Sequence, residues 1–193
     1  MNVHSKKQKK RQRIINAAIK LFVKHGIQGT SMQQLAKKAE VATGSLYNYF
    51  DNKEKLLNDI FLLLTKEDKH FISTGYDDTQ SIKARFAYLV ERNIRFKLAY
   101  PDKFEFLHRY VYSPAIMRAV QTGTFPPNDH PLIAVIEDGK KAGLVKPVSN
   151  EELMYFTLSG VAGFLRWKRF TQLPVTDKDI DKLVSIAWDA VKM

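Results

Sequence analysis

Residues 30–57 read TSMQQLAKKAEVATGSLYNYFDNKEKLL, and the pattern of this segment predicts how the first third of the chain folds. Its apolar residues recur at helical spacing on either side of a short interruption, which predicts two helices joined by a tight turn. Ser31 followed by Gln34 forms a capping box that starts the first of these helices. The apolar residues of both helices are spaced to form one small core: Leu35, Ala36, Ala39, Val41, Leu46 and Phe50.

The second of these helices, predicted over residues 43–49, keeps a polar outer face. That face consists of Thr43, Ser45, Tyr47, Asn48 and Tyr49. All five side chains can form hydrogen bonds and none is acidic. A short helix with such a face, flanked by lysines, fits the major groove of DNA, where Asn can pair with adenine. The alternative is an ordinary helical hairpin whose polar face is only solvated.

The composition is that of a folded globular protein, with 45% hydrophobic residues in 193. The absence of cysteine excludes disulfide scaffolds, thiolate nucleophiles and Cys-ligated metal sites. No run of about 18 uncharged apolar residues is available to span a bilayer. The N-terminus carries Lys and Arg where a signal peptide would have an apolar core. We therefore expect a soluble protein of the cytoplasm.

The formal net charge of +11 is concentrated near the N-terminus. Residues 1–70 contain 14 Lys and Arg against 6 Asp and Glu, whereas residues 71–193 contain 17 against 14. A basic module on a nearly neutral body favours a polyanionic partner, either nucleic acid or an anionic membrane. A solvated Lys-rich tail is the plain alternative.

Helix start and stop signals continue along the chain and predict an all-α fold of nine helices. Capping boxes are expected at Asp51, Ser149 and Thr176, while Pro101 and Pro131 suit first helical positions. The least regular segment, residues 122–128, is predicted to be a loop. We expect a two-part architecture, with a helix-turn-helix module of three helices over residues 1–53 and a helical bundle over residues 54–193.

The sequence contains no constellation typical of a catalyst. The histidines are scattered, and there is no HExxH pair, Gly-rich phosphate loop or nucleophile elbow. We therefore expect neither enzymatic activity nor a metal or cofactor.

The region from Ile14 to Phe61 resembles the DNA-binding region of TetR-family transcriptional regulators. The matching residues are Ile14 to Ala18, Leu21, Phe22, Gly26, Thr30, Leu35 to Ala39, Val41, Gly44, Leu46, Tyr47, Tyr49, Phe50, Asn52 to Glu54, Leu56 and Leu57. Two residues depart from the family pattern, with Glu40 in place of the usual turn glycine and Ala42 where serine is common. Glu40 puts the turn conformation in question, because glutamate tolerates positive φ poorly.

The resemblance implies a role for each matching position. Thr43, Ser45 and Asn48 would face base edges, and Gly44 would let the backbone approach closely. Tyr47, Tyr49 and Lys53 would hold phosphates. Ser31 would contact a phosphate and Gln33 a base edge. The basic arm of residues 6–13 would add attraction that is independent of sequence and weakens with salt.

The resemblance also implies a homodimer with an effector cavity in the body of each protomer. The helix after Ser149 is apolar nearly all round, which indicates burial on more than one side, and with the last helix it makes a plausible dimer contact. Aromatic and apolar residues near the middle of the body are candidates for the cavity, although a plain hydrophobic core is the alternative. The candidate pocket residues are Phe96, Phe104, Leu107, Tyr110, Met117, Phe156, Phe164 and Arg166. Arg166 faces an anionic ligand group, pairs with Glu91 or Glu105, or lies at the dimer edge.

The resulting functional hypothesis is a ligand-responsive regulator, more often a repressor, that binds a palindromic operator on double-stranded DNA. A small-molecule effector of unknown identity would release it. Two other classes remain open. One is a peripheral membrane protein that uses a basic amphipathic first helix, and the other is a small-molecule-binding bundle without DNA regulation.

Overall fold

The computed structural model describes residues 3–123, 125 and 130–193, with side chains described from residue 6 onward. The predicted all-α class is confirmed. The helices in this part of the chain are α1 (Val3–His25), α2 (Met32–Ala39), α3 (Thr43–Tyr47), α4 (Lys53–Ser73), α5 (Ile82–Ala99), α6 (Pro101–Tyr110), α7 (Pro114–Gln121), α8 (Pro131–Lys141), α9 (Asn150–Phe170) and α10 (Asp177–Val191).

The expected number of nine helices is wrong, because the described residues form ten. The additional helix is α7, which starts where Pro114 takes the first helical position and Ser113 provides the N-cap. The Ser113 hydroxyl accepts a hydrogen bond from the Ile116 N–H at 3.4 Å. Residues 124 and 126–129 of the predicted loop lie outside the described part of the chain.

The basic arm predicted for residues 6–13 belongs to a helix. α1 starts at Val3 and runs without a break to His25, so these basic residues occupy its first turns. Helical geometry gives each of them a defined direction, which a flexible tail would not.

Capping explains several helix starts. The predicted capping boxes at Ser31, Ser149 and Thr176 are confirmed, with both reciprocal hydrogen bonds present in each. The box predicted at Asp51 is wrong. Asn52 holds that position instead, and its side-chain oxygen accepts a hydrogen bond from the main-chain N–H three residues on, at 2.8 Å.

The chain divides into two compact units that do not coincide with the predicted boundary at residue 53. Unit 1 comprises residues 1–67 and 100–127, and unit 2 comprises residues 68–99 and 128–193. Most of α4 thus belongs with the N-terminal helices, together with α6 and α7. Whether function divides at residues 1–53 and 54–193 stays a prediction.

The core of unit 1 joins the N-terminal helices to α6 and α7. Phe22 of α1 lies with its ring centroid 6.4 Å from that of Phe106 and also 6.4 Å from that of Tyr110. The Tyr110 hydroxyl donates a hydrogen bond to the Phe22 carbonyl at 3.0 Å. Leu46 and Phe50, at the two sides of the end of α3, are buried in the same cluster.

Unit 2 is a bundle of α5, α8, α9 and α10 with its own apolar interior. Phe86 of α5 and Trp188 of α10 meet edge to face, with ring centroids 5.4 Å apart. At one end of the bundle, Arg85 contacts Asp138 of α8 at 2.8 Å. Apolar side chains from all four helices fill the remainder: Leu89, Val90, Ile94, Leu132, Val135, Ile136, Leu153, Val161, Ile180 and Leu183.

The turn between α2 and α3 requires a left-handed residue, and Glu40 supplies it with φ 54° and ψ 50°. The next N–H, that of Val41, donates to the Ala36 carbonyl at 3.0 Å and closes the end of α2. A side chain with a Cβ is strained in this conformation, so glutamate here costs more than glycine would.

Glycine at residue 40 is therefore expected to stabilise unit 1. We expect Glu40→Gly to exceed Glu40→Ala by about 1 kcal/mol in free energy of unfolding, because both lack the carboxylate and only alanine keeps the Cβ strain. Urea unfolding followed by far-UV circular dichroism measures the difference. Equal stability of the two variants would contradict the strained turn.

Candidate nucleic-acid interface

The first part of the candidate interface is the start of α2, where the capping box fixes the backbone. The Ser31 hydroxyl accepts a hydrogen bond from the Gln34 N–H at 3.1 Å, and the Gln34 side-chain oxygen accepts one from the Ser31 N–H at 2.7 Å. The other early N–H groups of α2 point outward from the helix start, which makes this end favourable for an anion. Gln33 is exposed beside it.

A shallow depression of about 560 Å³ lies against this helix start. Its basic residues are Lys37 of α2 and Lys53 of α4. The Lys53 ammonium donates a hydrogen bond to the Ile27 carbonyl at 2.9 Å, so one of its N–H groups is bonded to the turn that follows α1. Lys37 is exposed.

The second part is α3, which is held from one side and open on the other. Leu46 is fully buried and anchors the helix in the core of unit 1. Thr43, Gly44 and Tyr47 are exposed, and a Cβ added at Gly44 would meet open space. α3 therefore presents both side chains and bare backbone to the exterior.

The end of the predicted helix differs in detail from the expectation. α3 ends at Tyr47, and Asn48 is its C-cap with an exposed side chain. Ser45 is half-buried, and Tyr49 is half-buried and packs against the core. Tyr49 is consequently less available to an outside partner than Tyr47.

Lys37 is a further candidate interface residue, which the sequence analysis did not select. It follows Gln33 by four positions, which places both on the same side of α2. The four-residue spacing could have identified it, since a residue one turn after a predicted site residue lies on the same side of the helix.

Four candidate pocket residues belong to unit 1 and differ in their surroundings. Tyr110 is buried and bonded to the Phe22 carbonyl, and Leu107 packs against the same core. Phe104 is buried, while Met117 is exposed. The structure thus places Leu107 and Tyr110 in the core and Met117 at the surface.

The other four candidate pocket residues belong to unit 2. Phe96 is buried, with its ring centroid 5.5 Å from that of Phe71. Phe156 and Arg166 are exposed on α9, and Phe164 is half-buried. The pocket role of all eight residues stays a prediction.

Unit 2 also contains a buried polar group that the sequence reasoning missed. The Lys97 ammonium donates a hydrogen bond to the Asn93 side-chain oxygen, one turn earlier on α5. Burial lowers the pKa of Lys97 to about 8, against the attraction of Asp68. Burial also raises the pKa of Asp68, whose Oδ1 atom has no hydrogen-bond partner among the described residues. Two polar residues at i and i+4 on the apolar side of α5 were the signal.

α9 carries an exposed stripe that combines aromatic rings with small residues. Phe156 is 73% exposed and Phe170 88% exposed, which is unusual for phenylalanine. Between them lie Gly160, Gly163 and Trp167, at intervals of three and four residues. A Cβ at either glycine would meet open space. This α9 stripe is an apolar face without cover within the described protomer.

Neither a membrane-spanning helix nor a metal-binding cluster occurs in the described part of the chain. None of its helices is long and apolar enough to cross a membrane. Its His, Asp and Glu side chains do not come together in groups of three that could hold a metal ion.

Comparison with known proteins identifies the helix-turn-helix region. Residues 14–60 match the family described as bacterial regulatory proteins, tetR family. These residues span the second half of α1, all of α2 and α3 and the first part of α4, so the match covers the candidate interface at α2 and α3. This part of the chain is a TetR-family helix-turn-helix region.

Similarity to individual proteins extends over nearly the whole chain. A Bacillus subtilis (strain 168) protein named "Uncharacterized HTH-type transcriptional regulator YhgD" is 26% identical over 169 residues, which are 86% of this chain and 87% of that protein. A crystal structure of a TetR family regulator from Marinobacter aquaeolei VT8 matches with a TM-score of 0.87 at 22% identity, covering 98% of this chain and 99% of that one. The second match shows that the complete fold is shared.

A third relative is similar in the helix-turn-helix region alone. The "Probable acrEF/envCD operon repressor" of Escherichia coli (strain K12) is 39% identical over 54 residues, which are 28% of this chain and 24% of that protein. The TetR-family helix-turn-helix region and the relatives named as transcriptional regulators make the chain a DNA-binding transcriptional regulator rather than an enzyme.

Proposed function

We propose that this TetR-family regulator is a homodimeric repressor that binds a palindromic operator and leaves it when a small-molecule effector binds. One observation carries the proposal: Thr43, Gly44 and Asn48 are exposed on a short helix that Leu46 anchors from behind. A rigid helix with an uncharged hydrogen-bonding face suits the major groove, where base edges present donors and acceptors.

The proposed base contacts come from α3 and the start of α2. Asn48 is suited to adenine, to which its amide can form two hydrogen bonds, and Thr43 and Ser45 suit single contacts. Gln33 would reach a base edge from α2. The exposed backbone at Gly44 would let α3 enter the groove closely.

The proposed phosphate contacts surround that helix. Ser31 lies at the helix start and Lys53 in the adjoining depression, where Lys37 adds a further exposed charge. Tyr47 is freely exposed, whereas Tyr49 is half-buried and is the weaker candidate. Such contacts set affinity and register and leave sequence choice to α3.

The proposed dimer uses α9 together with α10. The α9 stripe offers large aromatic area, and Gly160 and Gly163 permit a second helix to approach closely. Ile186 on α10 is 64% exposed and adds to the apolar surface. A twofold axis would pair two α3 helices about 34–36 Å apart on successive major grooves, which is why the operator should be palindromic.

The proposed effector site rests on unit 2. Asp68, Asn93 and Lys97 supply polar groups in an apolar interior, next to Phe96 of the candidate pocket, and this combination is typical of small-molecule sites. An effector that binds better to a conformer unfit for DNA would shift the population away from the operator. The name of the Escherichia coli relative supports a repressor rather than an activator. Because its partner is DNA, we infer that the protein acts in the cytoplasm.

Selection of bound fragments from random double-stranded DNA tests the proposal as a whole. We expect an enriched palindrome whose half-sites are one helical turn apart, and loss of enrichment in the presence of an active effector from a metabolite and drug library. Enrichment without any symmetry would contradict the dimeric arrangement. Absence of enrichment would contradict sequence-specific binding.

Two substitutions separate base readout from phosphate attraction. Asn48→Ala is expected to cost about 1–3 kcal/mol on the selected operator and little on random DNA, because an adenine contact is lost. Lys37→Ala is the matched control and should weaken both DNAs alike, while lowering the salt slope by about 0.9 for one phosphate. Fluorescence anisotropy at several salt concentrations measures both effects. Equal losses on both DNAs for Asn48→Ala would refute its role.

The dimer is tested by placing a charge in the α9 stripe. Phe156→Glu is expected to shift the protein from dimer to monomer, since a buried carboxylate without a partner is costly in an interface. Tyr112→Glu is the matched control: Tyr112 is 71% exposed in unit 1, and its variant should remain dimeric. Analytical ultracentrifugation at micromolar concentration reports the mass. A dimeric Phe156→Glu protein would argue against this face.

A further inference from the structure

Arg13 of α1 contacts the turn that precedes α3. One nitrogen of its guanidinium donates to the Glu40 main-chain carbonyl at 3.3 Å, and the other lies 3.5 Å from the Glu40 carboxylate. A single side chain thereby holds both the backbone and the side chain of the left-handed residue. Glu40 lies three positions before α3 begins, so this contact ties the entrance of α3 to α1.

Arg11 makes a similar connection at the exit of α3. Its guanidinium lies 5.5 Å from the ring centroid of Phe50, the buried residue three positions after α3 ends. One of its nitrogens is 3.3 Å from the Asp59 carboxylate on α4, and Lys55 contacts the other oxygen of that carboxylate at 3.0 Å. The contact ties α1 to α4 across Phe50.

Residues two apart on a helix point to different sides, which explains how Arg11 and Arg13 reach opposite ends of α3. We propose that Arg11 and Arg13 are positioning residues that hold α3 at both ends, and that they set sequence discrimination on DNA without contacting it. The inference rests on the proposed function, in which α3 reads base edges. It separates these two arginines from Lys6, Lys7 and Lys9, which are exposed on the same helix.

A positioning role and a phosphate-binding role have different effects on the affinity for DNA and on its salt dependence. The Arg13–Glu40 pair is exposed and the Arg11–Asp59 pair is partly buried at the surface, and ion pairs that keep contact with solvent contribute little to global stability, so their loss leaves the protein folded. A positioning residue determines how accurately the side chains of α3 meet the base edges, because small displacements weaken directional hydrogen bonds. Its loss lowers affinity for the operator more than affinity for random DNA, with the salt slope unchanged. Loss of a phosphate contact instead lowers both affinities and reduces the slope.

The partner carboxylates provide the sharpest test, because their charge has the opposite sign. Glu40→Gln removes a negative charge near the candidate interface, which by electrostatics alone raises affinity for any DNA. If the Arg13 contact positions α3, the same change lowers the ratio of operator to random-DNA affinity. Asp59→Asn makes the equivalent change for Arg11.

The experiment measures operator and random-DNA affinity of the full-length chain over a range of salt, with active protein quantified by titration. We expect Arg11→Gln, Arg13→Gln, Glu40→Gln and Asp59→Asn each to lower the affinity ratio about fivefold, with unchanged salt slope. Lys6→Gln is the control for plain charge and should leave the ratio unchanged. Arg13→Lys should restore the ratio in part, since an ammonium can bond the Glu40 carbonyl or its carboxylate.

Two results would overturn the proposal while leaving the proposed function intact. One is an unchanged affinity ratio in the four variants, and the other is a salt slope reduced by about 0.9 in the arginine variants, which marks phosphate contacts. If the wild-type chain does not distinguish operator-like sequences from random DNA, that result contradicts both the proposed function and the positioning role of the two arginines.

Discussion

The structure of the interface depends on the burial of Leu46 and Phe50. α3 has only five residues, and isolated helices below about 12–15 residues are marginal in water. The helix therefore forms because tertiary packing offsets the conformational entropy lost in ordering it. Each buried side chain contributes about 1.5–3 kcal/mol. The same burial fixes which side of α3 faces outward. Exposure of Thr43, Gly44 and Asn48 is thus a consequence of the core beneath them.

That core draws on residues far along the chain. Phe106 and Tyr110 of α6 close it over Phe22, and Arg118 of α7 reaches the Glu54 carboxylate at the start of α4 at 2.7 Å. Unit 1 is consequently larger than a helix-turn-helix module of three helices. A change of conformation in α6 or α7 would directly alter the core that supports α3, because all three helices belong to unit 1.

Local rules account for what the sequence could predict. The helix starts at Ser31, Ser149 and Thr176 depend on residues three positions apart, so they can be predicted from the sequence alone. At the start of α4 the same rule failed, because Asp51 and Asn52 are both good caps and only the path of the chain selects between them. The α2–α3 turn and the inward direction of Leu46 were likewise predictable from short-range spacing.

Burial on the remaining helices was not predictable, since it depends on which partner a helix meets. Phe106 and Phe156 are both aromatic residues within helices, yet the first is fully buried and the second is 73% exposed. Periodicity shows that α9 is apolar on several sides, but it does not say whether a neighbour in the same protomer covers each side. The candidate pocket residues were dispersed between core and surface for this reason.

The charge distribution shows the same limit in another form. A surplus of Lys and Arg near the N-terminus favours a polyanionic partner, but the number of charges does not tell which of them remain available to it. Arg13 is engaged with Glu40, and Glu40 is the residue whose left-handed backbone the family pattern would assign to glycine. A glycine would relieve the turn and would leave Arg13 with the carbonyl alone. The strained glutamate thus couples α1 to the turn through its side chain, so the departure from the family pattern and the position of the arginine have one physical explanation.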